Sequence, residues 1–316
     1  MSRVKKERLK KGGLFIPLIF SFGAALEDMP LKEFLRDATK LSNTLRTLQN
    51  YFQVDGIVCY ADTTVLAESL GCRLSNDSYP PWVEPLGEFP EDFEARLAEL
   101  PQVGRVATAI EVTKRLNILL PDSILLCLVP GPVTLASQLI GRPSVELLNH
   151  HEILEMAAKA SLILTKALGD GGIDIVVIRE ETLPLLDEET TKILSRCYAP
   201  IWNTAKFYDL SPLLMIGEFL PENIDRLQKL VDSIVFPADN VPETLHKAKK
   251  LSFALPVSLL EKDHEEIEAF LAKKGISDAA EASRLFLVTT DHEVPKSIHK
   301  EFMIKGIQTI RDLLKK

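Results

Sequence analysis

The sequence predicts an α/β protein built as a single (β/α)8 barrel, and three observations carry that expectation. Eight short, continuous apolar runs recur along the 316 residues. Stretches of helical period separate them. No GxGxxG turn follows the first run. Continuous apolar runs suit strands buried on both faces of a parallel sheet. Their alternation with helical stretches is the mark of βαβ units, and crossovers of one hand close eight strands into a barrel. The rival is an open doubly wound sheet, which usually carries a glycine-rich first turn. Here the first run ends in SFGAALEDMP, with one glycine.

Taken in order, residues 1–13 (MSRVKKERLKKGG) form a basic arm, and residues 14–316 form the barrel. The arm followed by LFIPLIFSF can be read as a signal n-region. The apolar run is short and holds a proline, and Gly23, Ala24 and Ala25 match a cleavage site poorly, so a solvated arm leading into a buried strand is preferred. The expected strands are 14–22, 56–61, 123–129, 173–178, 213–216, 233–236, 253–257 and 284–288. The expected helices are 31–51, 93–100, 107–116, 144–168, 223–230, 244–250, 264–273 and 300–314, with a helix start at VTLASQL. The irregular SNDSYPPWVEPLGEFPED follows the second strand, and a loop that long often serves as a lid or a pocket wall.

Composition excludes several classes. A chain with 46% hydrophobic and 26% charged residues is ordinary globular material with a core that needs no staples. A net charge of −8 gives no global basic field for nucleic acid. No apolar run reaches the ~18 residues of a membrane span. Cys59, Cys72, Cys127 and Cys197 form no CxxC pair, which suits a reducing, cytoplasmic setting and neither a disulfide framework nor a structural zinc site.

Barrel active sites lie at the C-terminal ends of the strands, and those ends are rich in acids. The second ends in Asp62, the fourth in Arg179, Glu180 and Glu181, the fifth in Gly217 and Glu218, the sixth in Asp239, and the eighth in Asp291 and His292. Any one acid can be a helix cap. Together they suit proton transfer, because clustered carboxylates raise one another's pKa, or a bound cation. Gly131, between two prolines and before Thr134, either presents N–H groups to an anion or makes a tight turn with Thr134 near the cap. Adjacent His150 and His151 point about 100° apart on a helix and share no metal. No HExxH or Cys/His cluster is present, so metal ligands are not expected.

Five segments, in order, resemble the uroporphyrinogen decarboxylase superfamily: GIVCYADTTVLAESLGC, PGPVTLASQLIG, GGIDIVVIREE, VDSIVFPAD and LFLVTTDHEVP. The resemblance spans roughly residues 14 to 314. It implies one of two activities, decarboxylation of uroporphyrinogen acetate arms or methyl transfer between a corrinoid protein and a small molecule. Asp62 matches the aspartate that holds pyrrole N–H groups in the decarboxylases, Gln138 stands at that branch's tyrosine, and the eighth-strand histidine falls at Asp291 or His292. No arginine precedes Arg36 after the first strand, and Glu27 and Asp28 lie there instead, so an eight-carboxylate substrate would lose bidentate guanidinium contacts. The thiol-methylating branch binds zinc with a His-x-Cys on the fifth strand and a Cys on the eighth. Leu214 and Ile216 occupy the former positions and the eighth strand has no cysteine, so zinc is not expected.

The expected function is therefore corrinoid-linked methyl transfer on a small methylated or methoxylated substrate. Asp62, Glu218, Asp291 and His292 would be catalytic groups on one cavity, and Glu180, Gln138, Thr134 and Asp239 would bind substrate. No cofactor would be held tightly. The corrinoid would ride on a separate protein docking at the barrel mouth, with homodimerisation left open. The alternatives are a porphyrinogen-type decarboxylase and a binding barrel without catalysis.

Overall fold

The computed structural model describes residues 5, 7, 13–75, 80–148, 150–240, 251–276 and 286–315. Its eight parallel strands are β1 (Gly13–Phe15), β2 (Gly56–Tyr60), β3 (Ile124–Pro130), β4 (Ile175–Thr182), β5 (Ser211–Glu218), β6 (Ile234–Pro237), β7 (Leu251–Leu255) and β8 (Phe286–Thr290). They lie in the order β1-β8-β7-β6-β5-β4-β3-β2, the order expected when each crossover advances one strand with the same hand. The longest ladder joins β4 to β5, from Ile175↔Ser211 to Thr182↔Glu218. The protein is a (β/α)8 barrel, as its apolar runs predict.

One join differs from the others. β1 and β2 share no ladder, and Asp55 closes the gap. Its backbone N–H donates to the Phe15 carbonyl at 3.3 Å, and its Oδ2 accepts the Phe15 N–H at 3.0 Å. Its Oδ1 accepts Arg311 Nε and Nη2 at 3.0 and 2.9 Å. That arginine lies on α8 (Lys300–Leu313).

The other principal helices are α1 (Ala38–Phe52), α2 (Gly104–Leu119), α3 (Pro132–Ile140), α4 (His151–Gly171), α5 (Glu188–Phe207), α6 (Ile224–Leu230) and α7 (His264–Lys273). Core side chains such as Phe15, Phe236, Phe253 and Phe286 are fully buried, each contributing about 1.5–3 kcal/mol of apolar transfer. Two expected helices are broken. Residues 31–51 split at Asp37, whose side chain caps α1 by accepting Thr39 and Lys40 N–H groups at 2.9 Å. Residues 144–168 split into Ser144–Leu147 and α4. The first strand is shorter than 14–22 because Pro17 cannot donate to a ladder, and Phe22–Leu26 is a short helix. α5 falls where no helix was expected. The expected helix 244–250 and residues 284 and 285 lie outside the described residues.

The arm also departs from expectation at Lys5, which is buried rather than solvated. Its Nζ lies 2.9 Å from Asp174 Oδ2, and that carboxylate oxygen also accepts the Leu125 N–H at 2.9 Å. An ammonium leaves water only with such a partner. No helix among the described residues is long and apolar enough to cross a membrane.

Candidate functional site

The C-terminal ends of β2 to β8 form the barrel mouth, and two hollows open there. A cleft of about 470 Å³ lies between Trp82, on the loop after β2, and the first turns of α3. Arg73–Leu74 pairs antiparallel with Val83–Glu84, so part of the irregular stretch is a hairpin that holds Pro81, Trp82 and Pro85 as one wall. Thr134, Gln138, Arg142 and Glu181 supply part of the polar lining. A second pocket of about 180 Å³ is lined by Arg179, Ile216, Gly217, Asp239, Asp291 and His292, among others.

Arg179 and Glu181 divide the two. Residues two apart on a strand share a face, and Arg179 Nη2 lies 3.1 Å from Glu181 Oε2. Arg179 is only 7% exposed. A Cβ on Gly217 would lie 2.8 Å from Arg179 Nη2, so the bare glycine lets the guanidinium lie against β5.

Glu180 faces the other way, toward the helices. Its Oε1 accepts the Val133 N–H at 3.1 Å and the Tyr198 hydroxyl at 2.7 Å. Its Oε2 accepts the Thr134 N–H and hydroxyl, both at 2.7 Å. The anion at the start of α3 is thus the protein's own carboxylate, which settles the Gly131 turn without a ligand. A Cβ on Gly131 would come within 2.2 Å of that carboxylate. Burial raises the Glu180 pKa, while the four donors pull it down. Thr134 Oγ1 also accepts the Glu181 N–H at 2.8 Å, so Glu180 acts on the cleft through Thr134.

Asp62 does not open onto a shared cavity with Asp291 and His292. It is buried. Its Oδ1 accepts the Thr64 N–H and hydroxyl at 2.8 and 2.7 Å, and its Oδ2 pairs with Arg105, the second residue of α2. Arg105 also pairs with Glu68, which Arg36 meets in turn. Burial alone would lower the Arg105 pKa, but Asp62 drives it above the usual arginine value. The one-cavity expectation fails here because Thr64 and a guanidinium from the neighbouring helix take up both oxygens of the buried carboxylate.

Asp291 and His292 stay together. Asp291 Oδ1 accepts the Val257 N–H at 3.0 Å and the His292 N–H at 2.7 Å, while Oδ2 lies 3.2 Å from His292 Nδ1. The His292 side chain is 77% exposed and that of Asp291 29%. Asp239 lines the same pocket, Gln138 lines the cleft, and the exposed Glu218 lines neither. Gln138 Oε1 is buried without a hydrogen-bond partner. Arg179 and Glu181, expected at a strand end without a role of their own, and Trp82, on the loop expected as a lid or wall, line the hollows, and Arg142 joins them without a sequence signal.

A model of the uroporphyrinogen decarboxylase (URO-D) family matches residues 19–190, more than half of the chain. The protein belongs to the URO-D family. No curated protein matches its sequence significantly. The fold of this URO-D member resembles a methyltransferase from Methanosarcina mazei, with a TM-score of 0.75 and 18% identity over 98% of each chain. It also resembles a B12-independent methionine synthase from a Shewanella species, solved in complex with selenomethionine. There the TM-score is 0.54 and the identity 14%, over 88% of this chain and 87% of the other. At these identities the likeness is one of fold. In this URO-D member Leu214 and Ile216 are core residues, and among the described residues no three His, Cys, Asp or Glu side chains could hold a metal ion. The donors among the described residues do not fit a zinc ion.

Proposed function

We propose that this URO-D member is a methyltransferase acting on a small methylated or methoxylated molecule at its barrel mouth. The observation that carries the reading is the make-up of that mouth. Among the described residues its two hollows, of about 470 and 180 Å³, are lined by two guanidinium groups, Arg142 and Arg179. An octacarboxylate would call for many more bidentate cationic contacts. Asp62, the residue suited to pyrrole N–H groups, is already held by Arg105. The fold-level likeness to the Methanosarcina mazei methyltransferase supports methyl transfer over decarboxylation.

The corrinoid, carried by a separate protein, would supply the methyl-accepting centre. Exposed Trp82, Leu185 and Leu220 sit on loops after β2, β4 and β5, exposed Val145 sits on the short helix Ser144–Leu147, and such apolar side chains suit a docking partner. The chain's own part is to bind substrate in the pocket of about 180 Å³ that His292 lines, exclude water and deliver a proton. His292, oriented by Asp291 through Nδ1, donates that proton to the departing heteroatom.

The test is anaerobic incubation of the purified protein with cob(I)alamin and a panel of methylated and methoxylated small molecules, followed by methylcobalamin absorbance. Turnover is expected with at least one substrate. His292→Ala should lower it by about 100-fold or more, the usual contribution of a positioned acid. Coproporphyrinogen formation from uroporphyrinogen would favour the decarboxylase instead, and no turnover in either assay would favour a binding protein.

A further inference from the structure

Arg179, the buried cation of the pocket of about 180 Å³, has a guanidinium that is under-satisfied. Five N–H donors are available to an arginine. Glu181 engages Nε at 3.4 Å and Nη2 at 3.1 Å through a single oxygen, and no other acceptor reaches Arg179 among the described residues. The nitrogen that Glu181 leaves free is not among the buried unpartnered atoms, and Arg179 lines the pocket, so a ligand's acceptor can meet it there. Across the pocket the charge reverses. β4 and β8 are four strands apart in either direction round the sheet, so Arg179, at the end of β4, stands opposite Asp291, at the end of β8. Asp239, just past β6, adds a second carboxylate to the same lining. The remaining lining residues include Ile216, Ala238, Ala254 and Pro256.

We propose that this pocket binds a small zwitterion. Its carboxylate would rest on Arg179 and its cationic nitrogen against Asp239 and Asp291, with the alkyl body over the apolar residues. A simple anion would meet two carboxylates, and a simple cation would leave Arg179 unanswered. Only a molecule with both charges is complementary to the whole lining. The volume equals about six waters at ~30 Å³ each, which suits an amino acid or an N-methylated amino acid. The proposal rests on the small-molecule part of the reading above and not on methyl transfer, since it concerns binding alone.

Isothermal titration of the whole protein tests it, with alanine, N,N-dimethylglycine and glycine betaine as probes. Tert-butylacetate, which has the shape of betaine without its positive charge, and choline, which lacks the carboxylate, are the controls. At least one zwitterion should bind saturably at one site, and both controls should bind about tenfold or more weakly, the loss expected for one hydrogen-bonded charge. Arg179→Gln and Asp291→Asn should each weaken the zwitterion by a similar factor. If the glutamine variant fails to fold, Arg179→Lys serves, because it keeps the charge and loses the bidentate fork. Equal binding of either control, no saturable binding by any of the three zwitterions, or unchanged affinity in Arg179→Lys would overturn the proposal. A negative cobalamin assay beside positive titration would leave it standing.

Discussion

Glu180 illustrates how one residue's register decides its work. It stands between Arg179 and Glu181, and the alternation of a strand sends it away from the mouth that its two neighbours face. The sequence shows an acid at a strand end but not which face it takes, because β4 is apolar on both faces and offers no period to read. Arg105 was illegible for another reason, since its pairing with Asp62 spans 43 positions. Substitution of Glu180 has a testable pH signature. Burial raises its pKa, so the folded chain holds this proton more tightly than the unfolded chain does. The stability from that proton is full below the ordinary glutamate value and is lost as pH climbs through the folded value. Glu180→Gln has no such proton, so the wild-type advantage over the variant should shrink as pH rises across that window. At neutral pH the variant should still cost about 1–3 kcal/mol, because its amide nitrogen cannot accept from the surrounding donors. Urea denaturation at a series of pH values checks both statements, and an advantage that grows with pH would show that the donors outweigh burial.

At the scale of elements, strands were far more legible than helix ends. All eight expected strands overlap observed ones, because burial on both faces writes a continuous apolar run. The sequence signals no helix over the length of α5, since Pro200 interrupts it and threonines crowd its first turn. Its signal was local: Asp187 and Thr190 form a reciprocal cap. The expected helix 31–51 runs past the start of α1 for a different reason: apolar spacing continues through Asp37, while the backbone breaks there. Asp37→Ala should cost about 0.5–2 kcal/mol in urea denaturation, the usual worth of a helix N-cap, and Asp37→Asn much less. Equal losses in the two variants would mean that capping is not what Asp37 contributes. The hairpin beside Trp82 reads in sequence only as a loop, because its strands are two residues each, too short to show alternation.

Over the whole molecule the barrel is seven ladders and one clasp. Asp55 ties β1 to β2 and to Arg311 of α8, and its side chain is 10% exposed. Removing one partner from a largely buried pair costs about 3–5 kcal/mol, so Asp55→Ala should lose about that much in urea denaturation. It should also speed amide exchange at Phe15, whose N–H would lose its acceptor. An unchanged denaturation midpoint would mean that strand packing alone closes the ring. The clasp also sets a timetable for synthesis. β1 leaves the ribosome first, yet its ladder partner is β8, Phe286–Thr290. At ~5–20 residues per second the nascent chain carries that apolar strand unpaired for on the order of tens of seconds. Chaperone binding to a stalled nascent chain should therefore fall sharply once β8 and Arg311 have emerged, however much of the rest has already folded.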